Sequence, residues 1–369
     1  MQRWILAASV SVLAIGPAAA QQATTYGDLK VDTIASGLRN PWGLAFLPDG
    51  RFLVTERPGQ MRLISRDGKK SEPLAGVPRV YAVGQGGLLD VVLDRDFAES
   101  QTIYFCFAEP MEGGGRTSLA RARLRTDKIE DVRVIFRQAG PPSTGNHWGC
   151  RITQTPDRNL FLTLGDHDAH RNLAQSLDNH IGKIVRVRPD GVVPPDNPFV
   201  NRKDALPEIW SYGHRNLQGA ALEPSSGRYF THEHGAKGGD EINVPEAGKN
   251  YGWPIITYGV DYSGAKIGIG TERAGLEQPV YYWKPSIAPS GMAFYQGDLF
   301  PAWRGNMFVG GLASQSLVRV EMQNNKVAKE ERLLEKMSER IRDVRSGPDG
   351  ALWLLTDARD GKLLRVSPK

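Results

Sequence analysis

Residues 43–64 read GLAFLPDGRFLVTERPGQMRLI, and residues 343–366 read DVRSGPDGALWLLTDARDGKLLRV. Each runs through an apolar segment, a Pro-Asp-Gly turn, a second apolar segment, a polar turn with glycine, and a third apolar segment. Three strands joined by two tight turns make a small antiparallel sheet. Such a sheet cannot bury its own faces and must stack on copies of itself. A chain that opens and closes on one module is therefore predicted to form a ring.

Degraded copies lie between the two clear ones, starting near residues 87, 148, 219 and 291. With the starts at 43 and 343 this gives six units with unequal insertions. Six small antiparallel sheets in series predict an all-β, six-bladed β-propeller of four-stranded sheets. A solenoid would need regular short repeats and polar caps. The last module has only three strands, and Leu29 to Ile34 can supply a fourth, closing the ring through the two chain ends. Without that pairing the last sheet would keep a bare edge.

Residues 1–20 read as a secretory signal peptide: Arg3, an apolar run from Trp4 to Ile15, then Gly16, Pro17 and three alanines. The run is too short to span a bilayer. The propeller is expected to fill residues 21–369, in a bacterial periplasm, without membrane insertion. The chain carries 40% hydrophobic and 24% charged residues and a net charge of +5. Its basic residues are scattered, which gives no footprint for nucleic acid. Cys106 and Cys150 both lie in apolar, strand-like stretches, and two cysteines make no framework. Both are expected as buried free thiols. The oligomeric state fits a monomer or a homodimer.

Propeller loops on one face converge on the central channel, so polar residues at matching points of different modules are candidates for one site. Gly145-Asn146-His147-Trp148-Gly149 leads into the third module, and a histidine there suits a general base. Tyr212-Gly213-His214-Arg215-Asn216 leads into the fourth, where Arg215 could neutralise an anion. Residues 233–243 form a glycine-rich loop with adjacent carboxylates Asp240 and Glu241, followed by Tyr251, an oxygen-rich set that suits calcium. Arg340 and Arg342 alternate before the last module and should face one ligand. Gln85 precedes the second module. Asp166-His167-Asp168 with His170 looks metal-like but falls where a hairpin turn is expected. No GxGxxG, phosphate loop or GxSxG is present, so nicotinamide, nucleotide and serine-hydrolase chemistries have no support.

Together these residues resemble the soluble aldose sugar dehydrogenases that use pyrroloquinoline quinone (PQQ), the family that includes soluble glucose dehydrogenase. The resemblance runs from NPWGLAFLPDG at 40–50 to RIRDVRSGPDG at 340–350, through GQGGLLD, GNHWGCR, NHIGKIVRV, YGHRN, GGDEIN and KNYGWP. It implies that His147 is the general base toward the anomeric hydroxyl of an aldose and that Arg215 stabilises charge on the quinone oxygen. It further implies that Gln85, Asn216, Tyr262, Arg340 and Arg342 contact PQQ. One calcium ion would match the carbonyls of Gly235 and Ala236, and a second would match Glu241 and Tyr251. Electrons would pass to a soluble acceptor. Family members commonly carry a lysine where this chain has Ala313. Two rival readings share the fold: a calcium-dependent lactonase-type hydrolase, and a non-enzymatic propeller that binds a ligand. The three cations argue against a hydrolytic metal site.

Overall fold

The computed structural model describes residues 28–323 and 326–369. The expected signal peptide lies outside the described residues. Among those described, no helix is long and apolar enough to cross a membrane. Strands dominate, grouped into six antiparallel sheets.

The first blade has strands Pro41–Phe46, Phe52–Glu56 and Gln60–Ile64. The second has Leu88–Leu93, Thr102–Met111, Gly114–Leu124 and Ile129–Arg137. The third has Ile152–Gln154, Leu160–Leu164, Lys183–Val187 and Ile209–Tyr212. The fourth has Asn216–Leu222, Tyr229–His234, Asp240–Asn243 and Tyr281–Trp283. The fifth has Pro289–Phe294, Met307–Gly311, Ser316–Gln323 and Lys326–Leu333. The sixth has Ile341–Ser346, Leu352–Thr356 and Gly361–Pro368, with Leu29–Leu38 as its fourth strand. That strand runs antiparallel from Leu29 opposite Pro368 to Leu38 opposite Gly361. The ring closes through the chain ends, as the repeat predicts. In the first blade an isolated bridge between Ile64 and Lys70 stands where a fourth strand would run.

The Pro-Asp-Gly turns are built alike at both ends. Gly50 N donates to Leu47 O and Gly350 N to Gly347 O, with φ of 83° and 77° at the two glycines. Only glycine takes that left-handed region at little cost. Asp49 and Asp349 each accept the backbone N–H two residues on, which fixes the turn. The third blade uses the same geometry at Thr155-Pro156-Asp157-Arg158, with Arg158 at φ 69°.

Apolar clusters fill each seam between blades. Leu53, Val91 and Phe105 lie between the first and second, Trp148, Leu162 and Leu119 between the second and third, and Phe308, Leu317 and Leu354 between the fifth and sixth. The third–fourth seam has the smallest seam cluster: Phe161, Ile184, Leu217, Ala220 and Tyr229. Phe161 and Tyr229 stack there at 4.7 Å.

The cysteines correct the sequence reading. Both are buried, as expected, but Cys106 and Cys150 form a disulfide. The reason lies in how the inner strands pair. In the first two blades Val54 and Phe105 pair with Leu44 and Val91 and the next residue faces a bulge, and in the third Leu162 pairs with Ile152 and the next residue lies just past the end of the pairing. That next residue is Thr55, Cys106 or Thr163. Thr55 Oγ1 donates to Leu89 O of the following blade at 2.5 Å, and Thr163 Oγ1 to Leu217 O at 3.5 Å. Cys106 fills the same bridging position covalently. Each cysteine viewed within its own strand gave no sign of this. The bridge closes a separation of 44 residues, so the Cys106→Ser, Cys150→Ser double variant should lose about 4 kcal/mol of unfolding free energy. The urea midpoint measures this loss.

Candidate active site

His147 is placed by its neighbours in the 145–149 loop. Trp148 is buried against Tyr81, and its Nε1 donates to Gly145 O at 2.9 Å. Trp148 O accepts from Thr117 Oγ1 at 2.8 Å. This anchor turns His147 into the channel at φ 51°, where its N–H donates to Gln85 Oε1 at 3.0 Å. Gln85 thus holds the backbone of the histidine.

The imidazole Nδ1 lies 2.6 Å from Asp166 Oδ1. Asp166 also accepts from Trp253 Nε1 at 2.7 Å and from the Asp168 N–H at 2.8 Å. Burial opposes ionisation of this carboxyl, yet the His147 hydrogen bond and the His147 and Arg215 charges hold its pKa below the ordinary value. An ionised carboxylate only accepts, so Nδ1 carries the proton. In the neutral ring Nε2 is then the free basic nitrogen.

Arg215 is buried beside this pair. Its carbonyl accepts the Asp166 N–H at 2.7 Å, and its guanidinium lies 5.2 Å over the Trp253 ring. Its Nη1 donates to His234 O and Gly235 O. Its own N–H donates to Glu233 Oε2 at 2.5 Å. Asn216 Oδ1 accepts from the Gly149 N–H at 3.3 Å and Gln218 Nε2 at 3.1 Å. Among the described residues, Arg215 Nε, Asn216 Nδ2 and Arg342 Nε are buried polar atoms without a hydrogen-bond partner.

The Arg-x-Arg pair does converge, on a carboxylate of the chain itself. Arg340 Nη2 and Arg342 Nη2 lie 2.8 and 3.3 Å from Asp357 Oδ2. Burial would raise the Asp357 pKa, but the two guanidiniums hold it below the usual range. Arg342 Nη1 also donates to Gln218 Oε1 at 3.3 Å, which ties the pair to the His147 side. Arg340 Nη1 donates to Leu312 O at 3.1 Å, so a cation already stands beside Ala313. Tyr262 is 72% exposed and is not one of the buried residues of this cluster.

Below the site the channel is plugged by charge. Arg151 lies 3.2 Å from Asp90 and 2.9 Å from Asp343, and Arg345 lies 2.9 and 3.0 Å from the same two carboxylates. Arg151 also stacks on Trp42 at 4.2 Å.

The four residues expected at calcium also gather. Glu233 and Glu241 face each other across neighbouring strands, and both are largely buried. A cavity of about 10 Å³ is lined by Glu233, Glu241, Gly235, Tyr251, Trp253 and others, with Ala236 buried alongside. Burial and then the Glu233 charge push the Glu241 pKa well above its ordinary value. Asn243 donates to both carboxylates, while its Oδ1 has no hydrogen-bond partner among the described residues. The Tyr251 hydroxyl is committed to Val244 O and the Glu246 N–H, which leaves its carbonyl as the available oxygen.

Sequence reasoning missed Asp166 as the partner of His147. Its signal was the Asp-His-Asp run, which looks metal-like and falls where a hairpin turn is expected. Residues 165–182 form no tight hairpin but a long excursion with a 3₁₀ turn at Arg171–Gln175. His167 turns to Pro141 O at 3.3 Å, and burial pulls its pKa down to about 4. Trp253, Gln218, Glu233 and Asp357 were also missed.

Fold and site together define a six-bladed propeller with a histidine–aspartate pair and buried arginines gathered at one end of its channel. Residues 38–365 match the glucose/sorbosone dehydrogenase family, and the chain belongs to it. It is 47% identical to the aldose sugar dehydrogenase YliI of Escherichia coli, over 92% of this chain and 93% of that one. The crystal structure of the soluble E. coli aldose sugar dehydrogenase in its apo form superposes with a TM-score of 0.90, at 46% identity, covering 93% and 100% of the two chains. The PQQ-bound aldose sugar dehydrogenase of Streptomyces coelicolor gives 0.76 at 30% identity, covering 92% and 99%. The protein is an oxidoreductase of the sugar dehydrogenase class.

Proposed function

We propose that this enzyme oxidises the anomeric hydroxyl of aldose sugars to the lactone in the periplasm, with PQQ as hydride acceptor and calcium bound beside it. The observation that carries this reading is the His147–Asp166 pair next to a buried arginine whose Nε has no partner. His147 Nε2 takes the proton of the anomeric hydroxyl, and Asp166 steadies the imidazolium that forms. Arg215 offers a fixed positive charge where an oxyanion develops. When bound, PQQ supplies the two-electron acceptor for the hydride.

The residues present fit that cofactor. PQQ is a tricarboxylate with vicinal carbonyls, and this end of the channel offers Arg215, Arg340, Arg342 and Asn216, three of them with orphaned donors. Arg340 and Arg342 would hold carboxylates, Gln85 and Asn216 the polar edge, and Tyr262 a ring face. The calcium set fits as well: a cavity of about one water-sized sphere, two buried carboxylates and an orphaned amide oxygen. Glu241 and the Tyr251 carbonyl would hold one ion, and the Gly235 and Ala236 carbonyls another. Gly235 O currently accepts from Arg215, so that carbonyl would be shared. The leader-like first residues and the disulfide support an oxidising compartment.

The test adds PQQ and calcium to the apo-protein and follows quinone absorbance and dye reduction with a panel of aldoses. No absorbance change and no sugar-dependent reduction would sink the reading. Lactone hydrolysis without PQQ would favour a hydrolase instead. Calcium at about 100 times its Kd should raise stability by about 2.7 kcal/mol, and Glu241→Gln should remove most of that gain. Thermal melts with calcium and with chelator measure it.

A further inference from the structure

Lys183 opens the third strand of the third blade and is fully buried. Among the described residues its ammonium has no carboxylate within ion-pair distance. It donates instead to three carbonyls: Leu173 O at 3.1 Å, Ala174 O at 3.0 Å and Ile181 O at 2.6 Å. Three N–H groups meet three acceptors, so the match is complete only for the protonated amine. A buried, unpaired ammonium is costly, and an apolar residue would fill the space more cheaply.

The carbonyls explain why a charge stands there. Two of them belong to the 3₁₀ turn Arg171–Gln175, whose other contacts lead to the reaction site. Ala174 O also accepts from the Gly213 N–H at 3.0 Å, and Gly213 O accepts from the Trp253 N–H at 2.9 Å. Gln175 Nε2 donates to Trp253 O at 2.7 Å. The Trp253 side chain touches both acting groups, donating to Asp166 at 2.7 Å and lying 5.2 Å under Arg215. Gly182 lets the segments close up: a Cβ there would meet His214 O at 2.3 Å.

We propose that Lys183 is a positioning residue for the sugar-oxidation site, holding the 171–175 turn so that Trp253 fixes Asp166 and Arg215 together. This rests on the reading that His147 and Arg215 act on sugar and PQQ. Burial draws the Lys183 pKa down to about 7, with Asp178 opposing in part. His180, 3.3 Å from Glu208, is the other titratable group that feels this charge. Loss of the proton leaves two donors for three carbonyls, so the turn has all three ties below about pH 7 and two above it. The lowered pKa makes the folded chain as a whole gain stability over the unfolded one between about 7 and 10.5, so the change is local to the turn.

The test uses wild type, Lys183→Met and Gln175→Ala, each full length. In the apo-proteins, tryptophan fluorescence is titrated from acid to alkaline pH, with Trp253→Phe identifying the Trp253 signal. The wild type should show a Trp253 transition near pH 7 that both variants lack. In the PQQ- and calcium-loaded enzymes, kcat should fall about tenfold in both variants with KM for the sugar little changed. The wild-type kcat should decline on the alkaline side, and the variants should lack that limb. An active wild type with unchanged fluorescence titration, kcat and pH profile in the variants overturns the proposal. If Lys183→Met does not fold, Gln175→Ala decides alone, because it cuts the link outside the core and the same unchanged readings overturn it. A wild type that neither binds PQQ nor oxidises sugar takes the functional reading down first, and this proposal with it.

Discussion

His147→Gln is expected to lower kcat about 10³-fold while PQQ still binds. The position of the proton on the ring decides the effect. Asp166 is held ionised and lies 2.6 Å from Nδ1, so the neutral ring keeps its hydrogen there and presents Nε2 as the base. A glutamine amide has no basic nitrogen near neutral pH. The other functions of position 147 survive, because Gln85 binds its backbone N–H and Trp148 anchors the loop. Arg215, Asn216 and the Arg340/Arg342 pair are untouched, so quinone absorbance on mixing with PQQ should match wild type. Full turnover in this variant would mean another group removes the proton.

The fold was legible because its signals are local and repeated. The Pro-Asp-Gly turn carries its own hydrogen bonds at 47–51 and 347–351, so two copies far apart in sequence read alike. A closing strand at Leu29 to Ile34 could be foreseen because the last module lacked one, and the observed strand runs on to Leu38. The gathering of candidate residues was legible where a residue's place follows from the repeat. Gln85, His147 and Arg215 precede inner strands and Asn216 opens one, and the ring carries them to one end. What stayed hidden depends on partners that only closure of the ring supplies. Asp166 meets His147 from an excursion that begins where a hairpin turn seemed due. Asp357 lies beyond the next strand from Arg342, which a strand-face argument cannot reach. Cys106 meets Cys150 across a seam between blades, not within a sheet.

The placement of the site follows from the seams. The third–fourth seam has the fewest buried apolar residues, and polar links take their place. Arg151 Nε donates to Gln218 O at 2.7 Å, Gln218 Nε2 to Gly149 O at 2.7 Å, and the Asp166 N–H to Arg215 O at 2.7 Å. A seam held by directed hydrogen bonds fixes polar side chains in position better than apolar packing does. The disulfide reinforces the adjacent second–third seam three residues after His147, so the His147 loop is held covalently from one side and by hydrogen bonds from the other.

Asp166→Asn tests that arrangement most sharply, with an expected loss of about 10²- to 10⁴-fold in kcat. The carboxylate accepts from three N–H groups at once: Oδ1 takes His147 Nδ1 and Asp168 N, and Oδ2 takes Trp253 Nε1. An asparagine has one oxygen and one NH₂, so either setting leaves one N–H opposed. With the oxygen in the Oδ1 place the NH₂ meets the Trp253 indole; with the oxygen in the Oδ2 place it meets the Asp168 N–H, and His147 must move its hydrogen to Nε2. Both settings remove the negative charge that steadies the imidazolium, and the second also removes the reactive lone pair. The substitution leaves shape nearly unchanged, so the loss reports the carboxylate and not packing. It is read from kcat at saturating sugar with PQQ occupancy checked by absorbance. If Asp166→Asn stays within tenfold of wild type, the carboxylate does not serve His147 in turnover and its role is reduced to packing.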